Sequence, residues 1–277
     1  MAVDARTKEK ARRFRELALE SVLVLPNAWD AASAAVIAEA GARAIATSSA
    51  AMAWSLGRGD GQKMSREEMA RAAARVVAAV ELPVTVDAEA GYGPTEEDAV
   101  ATATAVIAAG AIGLNLEDST VPRGPLFTVE RQSARIRAAR AAAVEAGLPE
   151  LVINARTDVY LSQTGAAEYR LGEALDRAVA YAEAGADSFF VPALLDLDTL
   201  RELAEASPLP LNALAMPGGP SVAELAQAGV RRISLGAGVA RAAYSAAREA
   251  ALELLNEGTF KGLEGTLEAS HLNSLFS

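Results

Sequence analysis

The stretch Val84-Thr-Val-Asp-Ala-Glu-Ala-Gly-Tyr-Gly93 decides how the chain is read. Its first four residues are β-branched or strand-ending, which favours a short pleated strand. The pair Gly91 and Gly93 then marks a tight turn. An Ala- and Thr-rich stretch over 96–109 follows and is predicted to be a helix. Working outward, the same unit recurs in both directions. Strands are expected at 22–25, 44–47, 84–87, 112–116, 151–154, 188–191, 209–213 and 232–235. Helices are expected at 31–40, 65–80, 96–109, 129–145, 173–184, 197–206, 222–228 and 239–255. Ser65 with Glu68 forms a capping box for the second helix, and Gly41 suits the end of the first. Alternating strands and helices imply a parallel sheet. Eight such pairs fit a closed (β/α)₈ TIM-type barrel, which takes about 250 residues. A doubly wound open sheet would carry Gly-x-Gly-x-x-Gly after its first strand, and this chain does not.

No linker or charge block divides the chain, so residues 1–257 read as one barrel domain. Residues 258–277 form a C-terminal extension. Phe260, Leu263, Leu267, Leu272, Leu275 and Phe276 give it an apolar side, which predicts docking on its own barrel or on a neighbouring subunit. The charged first twenty residues read as a solvated helix, not a secretory signal. The uncharged run 99–116 has the length of a membrane span. It is interrupted by Gly110 and Gly113, so it is expected to be a buried helix, a turn and a strand.

Composition narrows the chemistry. The 277 residues include 26 Lys plus Arg and 36 Asp plus Glu, a net charge of −10. That balance lacks the basic footprint nucleic acid requires. Without cysteine there is no disulfide, thiolate nucleophile or Cys-ligated metal, and the single histidine, His271, cannot form a His-based metal set. No nucleic acid or membrane partner is expected, and a cytoplasmic location is.

In such a barrel, polar residues at the C-terminal ends of strands read as active site. Here they are Asn27; Thr47, Ser48 and Ser49; Asp87 and Glu89; Glu117 and Asp118; Arg156 and Asp158; Asn212; and Ser234. Asp87 and Glu89 are expected to share a face through the strand's period of two, with Glu117 beside them on the next strand. Three neighbouring carboxylates repel one another unless a cation or a proton relieves them. An all-oxygen set suits Mg²⁺ (or Mn²⁺), held by one or two carboxylates directly and by waters otherwise. Asp118 reads most simply as the polar cap of the next helix. Arg156 suits a substrate carboxylate or phosphonate through its fork, or else a salt bridge to Asp158 or Glu117. Ser48 and Ser49 can offer backbone N–H groups to an oxyanion, or mark a plain turn.

Six segments together resemble the isocitrate lyase/phosphoenolpyruvate mutase superfamily: Leu25-Pro-Asn-Ala-Trp-Asp-Ala-Ala-Ser33, Thr47-Ser-Ser49, Val86-Asp-Ala-Glu-Ala-Gly-Tyr-Gly93, Leu114-Asn-Leu-Glu-Asp-Ser119, Asn154-Ala-Arg-Thr-Asp158 and Pro217-Gly-Gly-Pro220. The resemblance implies a (β/α)₈ barrel, Mg²⁺ dependence and a small 2-oxo or related carboxylate substrate that passes through an enolate. It makes Asp87 the direct metal ligand, with Glu89 and Glu117 binding directly or through water and Asp60 as an outer acid. It gives Thr47, Ser48 and Ser49 the substrate carboxylate, Arg156 the substrate's other oxygens, and Asn212 a further polar contact. It also implies a homo-oligomer, dimer or tetramer, with an exchanged C-terminal helix.

The chain departs from that family in informative places. Asp-x-Asp is Asp87-Ala-Glu89 here, and Asn115 stands where lyases often have His. The loop Ser119-Thr-Val-Pro-Arg-Gly-Pro-Leu-Phe127 carries neither the lyases' Cys-Gly-His nor the mutases' Lys-rich motif. Tyr92 and the 119–127 loop are therefore the candidates for the general acid or base. Three readings stay open. The first is a Mg²⁺-dependent lyase or hydrolase cleaving a C–C bond of a 2-oxo or 2-hydroxy di- or tricarboxylate. The second is a P–C mutase or hydrolase acting on a phosphono acid such as phosphonopyruvate, which Arg123 would favour. The third is a non-catalytic or specialised binding paralogue.

Overall fold

The structure, a computed structural model, describes residues 3–119, 121 and 124–276. Helix α1 (Ala5–Glu20) leads into β1 (Leu23–Leu25) and β2 (Asn27–Ala28), then α2 (Ala31–Glu39) and β3 (Ile45–Thr47). Helices α3 (Ser49–Ser55) and α4 (Arg66–Ala78) precede β4 (Val84–Asp87), α5 (Glu96–Ala108) and β5 (Gly113–Glu117). Next come α6 (Val129–Glu145), β6 (Val152–Arg156), α7 (Arg170–Glu183), β7 (Ser188–Phe190) and α8 (Leu197–Ala206). The chain ends with β8 (Leu211–Leu214), α9 (Val222–Gln227), β9 (Arg232–Ser234), α10 (Gly238–Glu257) and α11 (Ala269–Ser274).

All pairings are parallel, in the order β1-β9-β8-β7-β6-β5-β4-β3-β2. Strands β1 and β2 are one strand interrupted at Pro26, whose nitrogen cannot donate to a ladder. β1 pairs with β9 and β2 with β3, so this broken strand closes the barrel. The expected eight strand positions are therefore present as nine segments. The run 99–116 resolves into most of α5, a turn with Gly110 at φ 81° and β5. Among the described residues no helix is long and apolar enough to cross a membrane.

Small side chains let the helices lie close on the barrel. α5 and α6 bury Ala99, Ala103, Ala139 and Ala143 at their contact with the sheet and each other. Thr95 and Asp98 form a capping box at the start of α5, and Thr128 caps α6.

Two elements differ from the sequence reading. α1 is not simply solvated: Thr7, Ala11, Phe14 and Leu17 form a buried helical stripe, the last three in the barrel's core cluster. The charges on its other face had hidden that stripe. α3 was not expected at all. It starts directly after β3, with the Ser48 hydroxyl accepting from Ala51 N–H. At the other end, α10 holds the eighth-helix position yet buries only Ala240. Residues 241–249 are all exposed. The extension touches its own barrel through His271 Nε2, 2.8 Å from Glu39 Oε1 on α2. Phe260 stays 68% exposed, and Leu263, Leu267 and Phe276 are exposed too.

Candidate active site

The expected acids converge at the C-terminal mouth. Asp87 ends β4 and Glu117 ends β5, and both are placed by the strand register, in which Asp87 lies opposite Asn115. Glu89 arrives differently from the expectation. It does not continue the pleat of β4; its backbone turns left-handed at φ 49°, and its carbonyl accepts from Glu117 N–H at 2.9 Å. Asp87 Oδ2 accepts from Ser49 Oγ at 2.7 Å and from Ser49 N–H at 3.2 Å. Asp87 Oδ1 accepts from Asn115 Nδ2 at 3.3 Å. Glu89 and Glu117 are both buried.

The electrostatics show the cost of this crowding. Burial, then the charge of Asp87, pushes the Glu89 carboxyl up to about 7. Burial also raises Glu117 well above the usual range, against the pull of Arg156. Asp60 lies on the exposed rim, and partial desolvation followed by repulsion from Asp87 raises it.

Arg156 does in this state what the second sequence option described. Its Nη1 lies 2.7 Å from Glu117 Oε2, while Nε and Nη2 donate to the two oxygens of Asp158 at 2.7 and 3.1 Å. Asp118 is not a helix cap. It is fully buried, accepts from Asp158 N–H at 3.0 Å, and pairs with Arg177 and the Tyr181 hydroxyl at 2.9 Å each. The cap of α6 is Thr128 instead.

Thr47, Ser48 and Ser49 line the mouth as expected, all buried. Thr47 Oγ1 accepts from Asp87 N–H at 3.0 Å, and Ser48 N–H donates to the Ala28 carbonyl at 3.1 Å. In this state the N–H groups of Ser48 and Ser49 thus serve Ala28 and Asp87.

Tyr92 reaches the same cluster, its hydroxyl donating to Glu89 Oε1 at 3.4 Å. Burial first, and the charge of Glu89 next, raises the phenol, so it stays protonated and is a donor. Gln62 was missed by the sequence reading. Its N–H donates to Glu89 Oε2, and its Oε1 accepts from Tyr92 N–H at 2.7 Å. Gln62, Glu89 and Tyr92 all have left-handed backbones, with φ between 49° and 57°. Such strain in non-glycine residues persists where the surroundings over-determine it, typically at functional sites. No local sequence signal marks it.

Asn212 sits lower, in a polar floor inside the barrel. Asn154 Nδ2 donates to Asn115 Oδ1 at 2.8 Å and to Asn212 Oδ1 at 3.0 Å, and Asn212 Nδ2 donates to Ser234 Oγ at 3.2 Å. Arg232 enters the same floor from the start of β9 and donates to Asn115 Oδ1 at 3.4 Å. Its remaining Nε and Nη1 have no hydrogen-bond partner among the described residues. Arg123 lies outside the described residues. Ser119 and Phe127, at the ends of that loop, are tied back: Ser119 Oγ donates to Asp158 Oδ2, and Phe127 N–H to the Asp118 carbonyl.

A hard divalent ion fits this donor set. The donors are all oxygen, and burial and mutual repulsion raise the Glu89 and Glu117 carboxyls, a strain that a bound cation would relieve. Among the described residues no three acid or histidine groups are arranged to hold a metal by themselves. A hydrated ion such as Mg²⁺ would take one or two of these carboxylates directly and keep waters in its other positions.

Comparison with known proteins follows the same lines. The phosphoenolpyruvate phosphomutase family matches residues 14–255. The 2-methylisocitrate lyase of Bacillus subtilis is 34% identical over 209 residues, covering 74% of this chain and 67% of that one. The oxaloacetate decarboxylase of Pseudomonas fluorescens is 30% identical over 246 residues, covering 85% and 81%. The crystal structure of a candidate phosphonomutase from Burkholderia cenocepacia is 44% identical, with a TM-score of 0.82, covering 91% and 100%.

Proposed function

The chain belongs to the phosphoenolpyruvate phosphomutase family, within the isocitrate lyase/phosphoenolpyruvate mutase superfamily, and from that premise we propose that it is a Mg²⁺-dependent lyase or hydrolase of a small 2-oxo or 2-hydroxy carboxylate. Its named relatives include lyases and decarboxylases of carboxylates, and a candidate phosphonomutase. The observation that carries the reading is the meeting of Asp87, Glu89 and Glu117 with one cation, Arg156, at the barrel mouth.

Asp87 would hold the ion directly, Glu89 and Glu117 directly or through water, with Asp60 behind them. Bound there, a divalent ion polarises substrate oxygens and stabilises negative charge developing on them. The chain's own residues do the rest. Thr47, Ser48 and Ser49 take the substrate carboxylate. Arg156, already desolvated, exchanges part of its pairing with Glu117 for the substrate's oxygens. Tyr92, whose hydroxyl donates to Glu89, is our candidate to give a proton to the carbon or oxygen left by bond cleavage, with the 119–127 loop as the other. Asn212 closes the floor beneath.

The test is turnover of a panel of 2-oxo and 2-hydroxy di- and tricarboxylates with and without Mg²⁺. Metal-dependent C–C cleavage of one of them supports the reading. No turnover of any would favour the specialised binding paralogue. The likeness to the candidate phosphonomutase favours a second reading, P–C chemistry. Turnover of phosphonopyruvate alone would select it.

A further inference from the structure

We propose that Arg135, on α6, is a positioning residue that fixes the loop 88–93 and thereby presents Glu89 and Tyr92 to the acid cluster. The inference rests on the reading of that cluster as the active site. Arg135 is 0% exposed, the bulkiest of the fully buried side chains. All its acceptors are neutral. Nη2 donates to the carbonyls of Ala90 and of Gly93, the latter at 3.0 Å. Nη1 donates to Gln132 Oε1 at 2.6 Å and to the Glu117 carbonyl at 3.5 Å. The ring of Phe127 lies over the guanidinium, 4.7 Å from Cζ to centroid.

A buried cation is costly unless its hydrogen bonds are made. Here Nη1 and Nη2 spend three of their bonds on backbone, in the two segments carrying Glu89 and Glu117, while Nε has no hydrogen-bond partner among the described residues. Between the carbonyls that Arg135 holds lie Gly91 and Tyr92, and Glu89 immediately precedes them. Glu89 and Tyr92 are in left-handed conformations they would not adopt unaided. A Cβ at Gly91 would stand 3.1 Å from Arg135 Nη2, so the guanidinium is packed directly against the turn. Gln132 secures the clamp from the side, its Nε2 donating to the Leu116 carbonyl at 3.2 Å.

Arg177 is the natural control. It is also buried, on the neighbouring α7, but its hydrogen bonds go to Asp118, Glu173, Tyr181 and the Phe127 carbonyl, outside residues 88–93. The experiment compares wild type, Arg135→Lys and Arg177→Lys, with Gln132→Leu as a milder second disturbance of the clamp. Three quantities are read: the melting temperature, hydrogen exchange of the Gly91 and Tyr92 amides without metal, and Mn²⁺ affinity. Those amides donate to the Ala88 carbonyl and to Gln62 Oε1 in the intact loop. Arg135→Lys should speed their exchange by about tenfold. It should weaken Mn²⁺ binding by about 10- to 100-fold, the usual effect of disturbing groups that orient ligands. Gln132→Leu should move both readouts the same way and less far. Arg177→Lys should lower the melting temperature and move neither. Loss of melting temperature alone in both clamp variants, or the same loop effects in Arg177→Lys, would overturn the proposal. If the wild type binds no Mn²⁺, the functional reading fails, and the exchange measurement still decides the role of Arg135.

Discussion

Arg156 is held through three nitrogens by two acids, and this fork explains why lysine cannot replace it. An ammonium cannot face Glu117 and both oxygens of Asp158 in one plane. Arg156→Lys should therefore lower kcat/KM on the true substrate by about 100-fold, the scale of a lost oxyanion donor. Steady-state kinetics check it, and an unchanged kcat/KM would remove Arg156 from the reaction. Tyr92→Phe should leave substrate binding near wild type and lower kcat by about 10²- to 10⁴-fold, the range for a lost general acid. Asp87, Glu117 and Arg156 were legible in the sequence because strand ends fix their positions. Glu89 was legible as a residue but not in its route, because a left-handed turn leaves no mark in residue type. Gln62 was not legible: its role depends on two distant segments, at Glu89 and Tyr92.

Strands and helices carry the next set of constraints. Gly113 begins β5 close against β6, and a Cβ there would lie 2.8 Å from the Val152 carbonyl. A backbone carbonyl in a strand cannot give way to that Cβ, so Gly113→Val should abolish soluble folded protein, while Gly41→Ala, with open space around its Cβ, should retain the fold at a cost from its φ of 96° alone. Circular dichroism of the two variants decides this. Behind the mouth, α7 meets the residue after β5, Asp118, through Arg177 and Tyr181. Asp118→Ala removes the fully buried partner of Arg177, which keeps Glu173 on its own helix, and should cost about 1–3 kcal/mol in denaturant unfolding. A loss near zero would show that the pairing is not structural. The alternation of elements was readable from β-branched runs and Ala-rich stretches. α3 was not, because it follows β3 with no breaker between them, and its small residues also suit a loop.

At the scale of the molecule, the order of strands followed from the sequence since each βα unit repeats one short-range pattern. What the repeat does not encode is where α10 goes. Tyr244 of α10 packs on Trp29 and Trp54, yet α10 with the residues after it leaves Tyr244, Leu254, Leu255, Phe260, Leu263 and Leu267 exposed. We propose that a second copy of the chain covers this apolar surface. Light scattering should find a dimer or tetramer in solution, and deletion of residues 258–277 should shift it toward monomer; a full-length monomer at micromolar concentration would contradict that assembly. The acid cluster is the centre of the account, and its charge can be measured without knowing the substrate. Titration of Mn²⁺ into the metal-free protein by calorimetry should show one site per chain, weakened at least about 100-fold by Asp87→Ala with the melting temperature little changed. Equal Mn²⁺ binding by the wild type and Asp87→Ala, or none by either, would contradict the claim that Asp87, Glu89 and Glu117 form a metal site.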